Sequence, residues 1–194
     1  DDPDLGELLR TAPCDVGVVV GEGLSPGPVL VPFAGAEHDW SAIELGACSV
    51  DHLEATGDEG VRQLAASDVV GVLLPVAALV LGGPMPRARE LVDAGAAIAL
   101  ATDFNPGSAF CESLPLVCSL ACTQLRLSPA EALGAVTVNA AHVLRRADHL
   151  GRLVPGYEAD VVLLEAPDWR YLAYHMGGEV VSAVVQSGRL VWRR

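Results

Sequence analysis

Three features of this sequence predict an α/β protein, with parallel strands and helices alternating through most of the chain and a small β module at its end. Short apolar runs, polar loops and helical patterns recur about every 20 to 30 residues, the cadence of βα units. Several of the apolar runs end directly on ionisable side chains. From Leu150 onward the texture changes to turn, strand, turn, strand. Four or five βα units fit ahead of that change, whereas a complete parallel barrel has eight and takes about 250 residues. The expected architecture is therefore the C-terminal half of a (β/α)8 TIM-like barrel over residues 1–147, followed by a β module over residues 148–194.

Each element follows from local pattern. Residues 4–12 fit a short helix, residues 14–20 a buried strand, and residues 21–28, with three glycines and two prolines, a loop. Residues 29–33 read as a strand despite Pro32, which removes a ladder donor. A polar cluster containing Glu37 and His38 follows, then a helical pattern through Leu45. Residues 47–50 are a short strand that delivers Asp51, His52 and Glu54. Residues 58–66 are helical, with acids in the first turn where the helix dipole favours them. Residues 69–74 are a buried parallel strand ending at Pro75, and residues 87–94 a helix with Gly95 at C′. The small-residue run 96–101 reads as a strand buried on both faces. A helix spans 112 or 113 to 127, and Ser128-Pro129-Ala130-Glu131 is a capping-box start, with proline at N1, for a helix running to about Arg146. In the tail, residues 180–185 and 189–192, joined by Gln186-Ser187-Gly188, form a closing hairpin.

Composition narrows the function classes. The net charge of −13, with arginine as the only strong cation and no lysine, argues against nucleic-acid or anionic-membrane partners. Half the residues are hydrophobic, yet no apolar segment reaches the roughly 18 residues of a membrane span. The five cysteines (Cys14, Cys48, Cys111, Cys118, Cys122) show neither zinc spacing nor a disulfide framework and read as reduced thiols. Cys118 and Cys122, at i and i+4, share a helix face and read as core. The acidic opening Asp1-Asp2-Pro3-Asp4 is unlike a signal peptide, so the expectation is a cytoplasmic protein with a small-molecule substrate. The unpaired sheet edges of a half-barrel predict self-association.

The stretch Leu100 to Ala109, LATDFNPGSA, is the most informative. A strand ending on an Asp, followed by Asn-Pro-Gly-Ser, is how a parallel barrel displays a catalytic group at its C-terminal rim. Pro106 fixes φ, Gly107 lets backbone N–H groups approach a ligand, and Asn105 and Ser108 add side-chain donors and acceptors. Read on its own spacing, Asp103 is equally an Asx-turn or helix N-cap residue. Glu37 and His38, His52, and Asp103 are the candidates at three strand ends. His and carboxylate groups converging at one rim are what a metal-assisted hydrolase requires. Taken singly, His52 has a structural reading. His142, His149 and His175 read as structural or solvent-facing, and Glu54, Asp58 and Glu59 as a solvated loop and first helical turn.

The segments SVDHLE (49–54), LATDFNPGS (100–108) and VNAAHVL (138–144), with the tail GRLVPGYEADVVLL (151–164), together resemble the imidazolonepropionases of the metal-dependent amidohydrolase superfamily. The resemblance implies a distorted (β/α)8 barrel, a β-sandwich built from both termini, one zinc or iron ion, and often a homodimer. The implied reaction is opening of the 4-imidazolone-5-propanoate ring to N-formimidoyl-L-glutamate in histidine degradation. It also implies that Asp103 binds the metal and takes a proton from the attacking water, and that His52 polarises the carbonyl. Glu37, Asn105, Gly107 and Ser108 would contact substrate. Where the family carries a further metal histidine, in a pattern like FHGDE, this sequence reads Phe33-Ala34-Gly35-Ala36-Glu37. The family's His-x-His pair belongs upstream of this chain. The alternatives are a non-catalytic fragment or diverged copy, and another cyclic amidohydrolase or deaminase.

Overall fold

The computed structural model describes residue 43 and residues 46–194. Ala34, Glu37, His38 and the elements expected within residues 4–42 lie outside the described residues.

Three short strands, β1 (Ser49–Asp51), β2 (Val70–Leu73) and β3 (Ile98–Leu100), form a parallel sheet in the order β1-β2-β3. The registers Val50↔Gly71 and Val72↔Ala99 bring their C-terminal ends to one edge. Val50, Val70, Leu73, Ile98 and Leu100 are all buried, as continuous apolar runs require in a sheet covered on both faces.

The helices that link these strands also position them. In α1 (Asp58–Ala65), Val61 and Leu64 face inward, while Glu59 and Arg62 pair on the outside. Helix α2 (Pro75–Leu81) was not expected from the sequence, where Pro75 reads only as the end of a strand. Proline is equally at home at the first helical position, and the all-apolar PVAALVL lacks the polar face that would reveal its period. Helix α3 (Ala88–Asp93) ends with Gly95 at φ +93° and is tied to α1 by Arg87, whose guanidinium donates to Asp58 at 2.7 Å.

Helix α4 (Leu114–Thr123) stops four residues earlier than the sequence pattern predicts. The apolar period continues because Leu125 and Leu127 stay buried, but Arg126 takes a left-handed conformation (φ +59°) that turns the chain into the next cap. That cap is the expected box: Ser128 Oγ accepts from Glu131 N, and the Glu131 carboxylate accepts from Ser128 N at 2.7 Å.

The single helix expected from Pro129 to about Arg146 is two, α5 (Pro129–Val136) and α6 (Val138–Val143). The break is at Thr137, whose hydroxyl donates back to the Leu133 carbonyl at 2.6 Å while its own backbone leaves the helical region (φ −122°, ψ −84°). Just past it, Asn139 donates to the Ile98 carbonyl at 2.7 Å. Ala97 and Leu73 carbonyls serve the β2–β3 ladder, so the Asn139 amide occupies an acceptor on the other side of β3.

In the tail, β4 (Val161–Leu164), β5 (Val181–Gln186) and β6 (Arg189–Arg193) form an antiparallel sheet in that order. The β5–β6 hairpin turns on Ser187 and Gly188, with φ +47° and +77°, the sign a two-residue hairpin needs at both positions. Asp160 fixes this turn by accepting from Ser187 N at 2.7 Å. Between β4 and β5, α7 (Tyr171–Tyr174) returns to pack on α4 and α5.

Two outcomes follow for stability. Gly151 (φ +84°) passes so close to the helix break that a Cβ would lie 2.9 Å from both the Thr137 carbonyl oxygen and the Ala141 Cβ. A left-handed backbone costs a non-glycine residue roughly 1–2 kcal/mol and overpacking roughly 1–3 kcal/mol. Gly151→Ala should therefore lose roughly 2–5 kcal/mol, seen as a lower thermal midpoint; an unchanged midpoint would contradict this close approach.

The Glu131 carboxyl is held down at about 2 by the Arg89 guanidinium and by Ser128. Because the folded value lies below the ordinary carboxylate value, its contribution is complete above about 4.5 and disappears as pH falls toward 2. Acid titration of unfolding should show a limb in that window that Glu131→Gln flattens.

Candidate functional site

The polar residues gather where the three parallel strands end. β2 contributes none, since its run Leu73-Leu74-Pro75 passes straight into α2. The groups that can do chemistry come from the flanking strands, as expected for His52 and Asp103.

After β1 the ladder continues by one bond, His52 N to the Val72 carbonyl at 2.9 Å, and then the chain reverses. His52 and Leu53 both have positive φ, +76° and +67°, which is uncommon for one non-glycine residue and rarer for two in succession. Packing holds them there. The Leu53 side chain occupies the space above Gly71, where a Cβ would lie 2.7 Å from Leu53 Cδ1. Both His52 and Leu53 are buried. The reversal brings Glu54 back onto the histidine, with 3.4 Å between His52 Nδ1 and Glu54 Oε1. Glu54 is thus not the solvated loop residue that sequence pattern suggests. The only signal for it was the two-residue spacing in His-Leu-Glu, unreadable without the left-handed turn.

After β3, the last ladder bond is Ala101 N to the Leu73 carbonyl at 3.3 Å. Asp103 follows, also left-handed at φ +51°. Non-glycine residues held in such regions cluster where a fold must aim a particular side chain.

The Asx turn of the DFNPGS segment is built by Asn105 rather than Asp103. Its Oδ1 accepts from Gly107 N and Ser108 N, each at 2.8 Å. Its Nδ2 donates to the Asp103 carbonyl at 2.7 Å, to Asp103 Oδ2 at 3.2 Å and to Ser108 Oγ at 3.1 Å. A backbone bridge from Asn105 to Ala109 closes the loop. The loop therefore fixes the Asp103 carboxylate from one side, while Phe104 and Phe110 stand exposed with ring centroids 5.2 Å apart.

The charges act on one another. Burial pushes the Asp51 carboxyl up to about 6, with the Asp103 charge adding to this; the Ser49 hydroxyl, which donates to Asp51 Oδ1 at 3.2 Å, and His52 oppose it. Burial also raises Asp103, reinforced by Glu54 and opposed by His52 and the Asn105 amide. For His52, burial alone would lower the imidazole value, but Glu54, Asp103 and Asp51 together raise it above normal. His52 is thus biased toward its cationic form inside a ring of carboxylates.

His142 and His175 are exposed and His149 half-buried beside Asp148, away from this cluster. Cys118 is buried and Cys122 packs against the same core, as their spacing predicts. Asp103 offers a hard oxygen donor suited to a divalent cation, but among the described residues no three His, Cys, Asp or Glu side chains are arranged to hold a metal. A zinc site normally takes three protein ligands, so these residues do not make one by themselves.

Comparison with known proteins places this geometry. The chain is 63% identical over 150 residues to the imidazolonepropionase of Rubrobacter xylanophilus, covering 77% of this chain and 36% of that protein. It is 45% identical over 172 residues to that of Geobacillus kaustophilus, covering 87% and 40%. The chain thus spans well under half the length of these curated relatives. Among solved structures, the E. coli guanine deaminase aligns with a TM-score of 0.65 at 21% identity, over 78% of this chain and 41% of that one. An adenosine deaminase from Xanthomonas campestris, solved with bound zinc, aligns with a TM-score of 0.68 at 21% identity, over 76% and 38%. At this identity the two structures establish the fold alone. Residues 42–191 match the amidohydrolase family, and with that match spanning most of its length the chain belongs to this family.

Proposed function

We propose that this chain is the C-terminal portion of an imidazolonepropionase, hydrolysing the ring of 4-imidazolone-5-propanoate to N-formimidoyl-L-glutamate. The observation that carries the reading is the placement of His52 and Asp103 at the ends of β1 and β3, flanking an apolar β2, in a chain this similar to imidazolonepropionases. On this reading residues 1–147 belong to a (β/α)8 barrel completed by upstream sequence, and residues 148–194 to a β-sandwich.

The chemistry assigned to the side chains follows from their surroundings. Water adds to the ring carbonyl carbon, the adjacent C–N bond breaks, and the leaving nitrogen takes a proton. Asp103, oriented by Asn105 Nδ2 and raised in basicity by burial, takes the proton from water and returns it to that nitrogen. His52, biased toward its cationic form, stabilises the negative charge that develops on the carbonyl oxygen. Glu37 is assigned to substrate contact. In Asn105, Gly107 and Ser108 the bonds within the loop hold a preformed rim against which substrate is seated.

The family's ion, zinc or iron, would supply Lewis-acid activation; Asp103 would be one of its ligands and the others would come from outside the described residues. The small-molecule substrate and cytoplasmic setting go with the same reading. Self-association is supported by β6, where Leu190, Val191 and Trp192 are all about half exposed.

Elemental analysis of a protein extended upstream through the missing barrel strands should find about one zinc or iron per chain, lost in Asp103→Ala. No metal in the unsubstituted protein would reject the hydrolase reading. In the same protein, His52→Gln should lower kcat for imidazolone propionate by about 10²–10³-fold with little change in KM, as when one oxyanion donor is removed. An unaltered kcat would remove His52 from the mechanism, and turnover of other cyclic amides in place of this substrate would reject the substrate assignment.

A further inference from the structure

We infer that Glu54 is a positioning residue for His52, fixing which imidazole nitrogen carries the proton. The inference rests on the reading of His52 as the group that faces the carbonyl, and it deepens that reading by naming what holds the ring.

Three observations converge on Glu54. Its Oε1 lies 3.4 Å from His52 Nδ1. That oxygen is shielded from solvent and makes no hydrogen bond among the described residues, so the ring nitrogen is the partner the geometry offers it. A buried carboxylate oxygen is retained at a cost unless it serves a neighbour. The backbone is also bent expressly to bring the two together. The left-handed pair His52–Leu53 is held by the His52 N–H to Val72 bond on one side and by Leu53 seated over Gly71 on the other, and Thr56 N closes the turn onto the Leu53 carbonyl at 3.3 Å.

The structural roles open to a glutamate here are not filled. Helix α1 starts at Asp58, capped from Gly57, so Glu54 does not cap it. Arg87, which reaches the Thr56 carbonyl at 3.4 Å, pairs with Asp58 and Glu90 instead. Asp51 and Asp103 also bias the charge of the ring through their own negative charge, while the 3.4 Å approach to Nδ1 is made by Glu54. A carboxylate facing Nδ1 makes that nitrogen an N–H donor and stabilises positive charge on the ring, leaving the Nε2–H of the cation to face the carbonyl oxygen.

The test uses this chain as it stands. Long-range 1H–15N correlation spectra of ¹⁵N-histidine protein, with the His52 signals assigned by their loss in His52→Gln, report which nitrogen is protonated once the ring is neutral. The expected result is Nδ1–H in the unsubstituted chain and in Glu54→Gln, which keeps an acceptor, and a shift of the population to Nε2–H in Glu54→Leu. Circular dichroism checks that each variant is folded. If Glu54→Leu does not fold, Glu54→Asp, which withdraws the carboxylate by one methylene, takes its place and should show partial loss of Nδ1–H. The same tautomer in every folded variant, or Nε2–H in the unsubstituted chain, overturns the inference. Because no substrate or metal enters the measurement, its outcome is independent of whether the extended protein opens the imidazolone ring.

Discussion

Gly71 has no side chain, and the space this leaves on β2 holds Leu53. That single packing contact makes a left-handed turn tolerable at two consecutive non-glycine residues, and the turn aims His52 and folds Glu54 against it. The parallel register does the rest by bringing the β1 and β3 ends to the same edge. β2 lies between them and presents only Leu73, Leu74 and Pro75, so the two polar termini are separated by an apolar strip rather than by competing donors. Burial in this setting is what raises the Asp51 and Asp103 carboxyls and gathers enough negative charge around His52 to outweigh the desolvation of its ring.

Much of this was legible in the residues because local and global preferences agree. Residues 69–74 and 96–101 read as buried parallel strands from composition alone, and β2 and β3 lie within them. Ser128-Pro129-Ala130-Glu131 predicts its own cap, and the Ser187-Gly188 turn its own hairpin. The candidate residues His52 and Asp103 were visible because each follows an apolar run at once.

What was not legible involves competition between two roles for one residue. Pro75 ends a strand and also starts α2; pattern reveals the first role and hides the second in a helix without a polar face. Thr137 is compatible with a helix interior by period, yet its hydroxyl bond to Leu133 and the approach of Gly151 make it a break. In Asp103 and Asn105, two residues that build Asx turns equally well stand two apart, and only the structure shows that Asn105 builds the turn while Asp103 is what the turn holds. Glu54 lay beyond any period argument, because its contact with His52 depends on backbone angles that spacing does not encode.

The Asn105 amide links Asp103, Gly107 and Ser108. An asparagine with so many duties would be a chemical liability over a protein's lifetime, since spontaneous deamidation replaces the NH2 donor by a second carboxylate beside Asp103. That reaction proceeds when the backbone nitrogen of the following residue attacks the side-chain amide, and Pro106 has no N–H with which to close the ring. The residue that fixes the loop's direction thus also protects its central amide from ageing, and the asparagine that orients Asp103 keeps its chemical identity as long as the proline follows it.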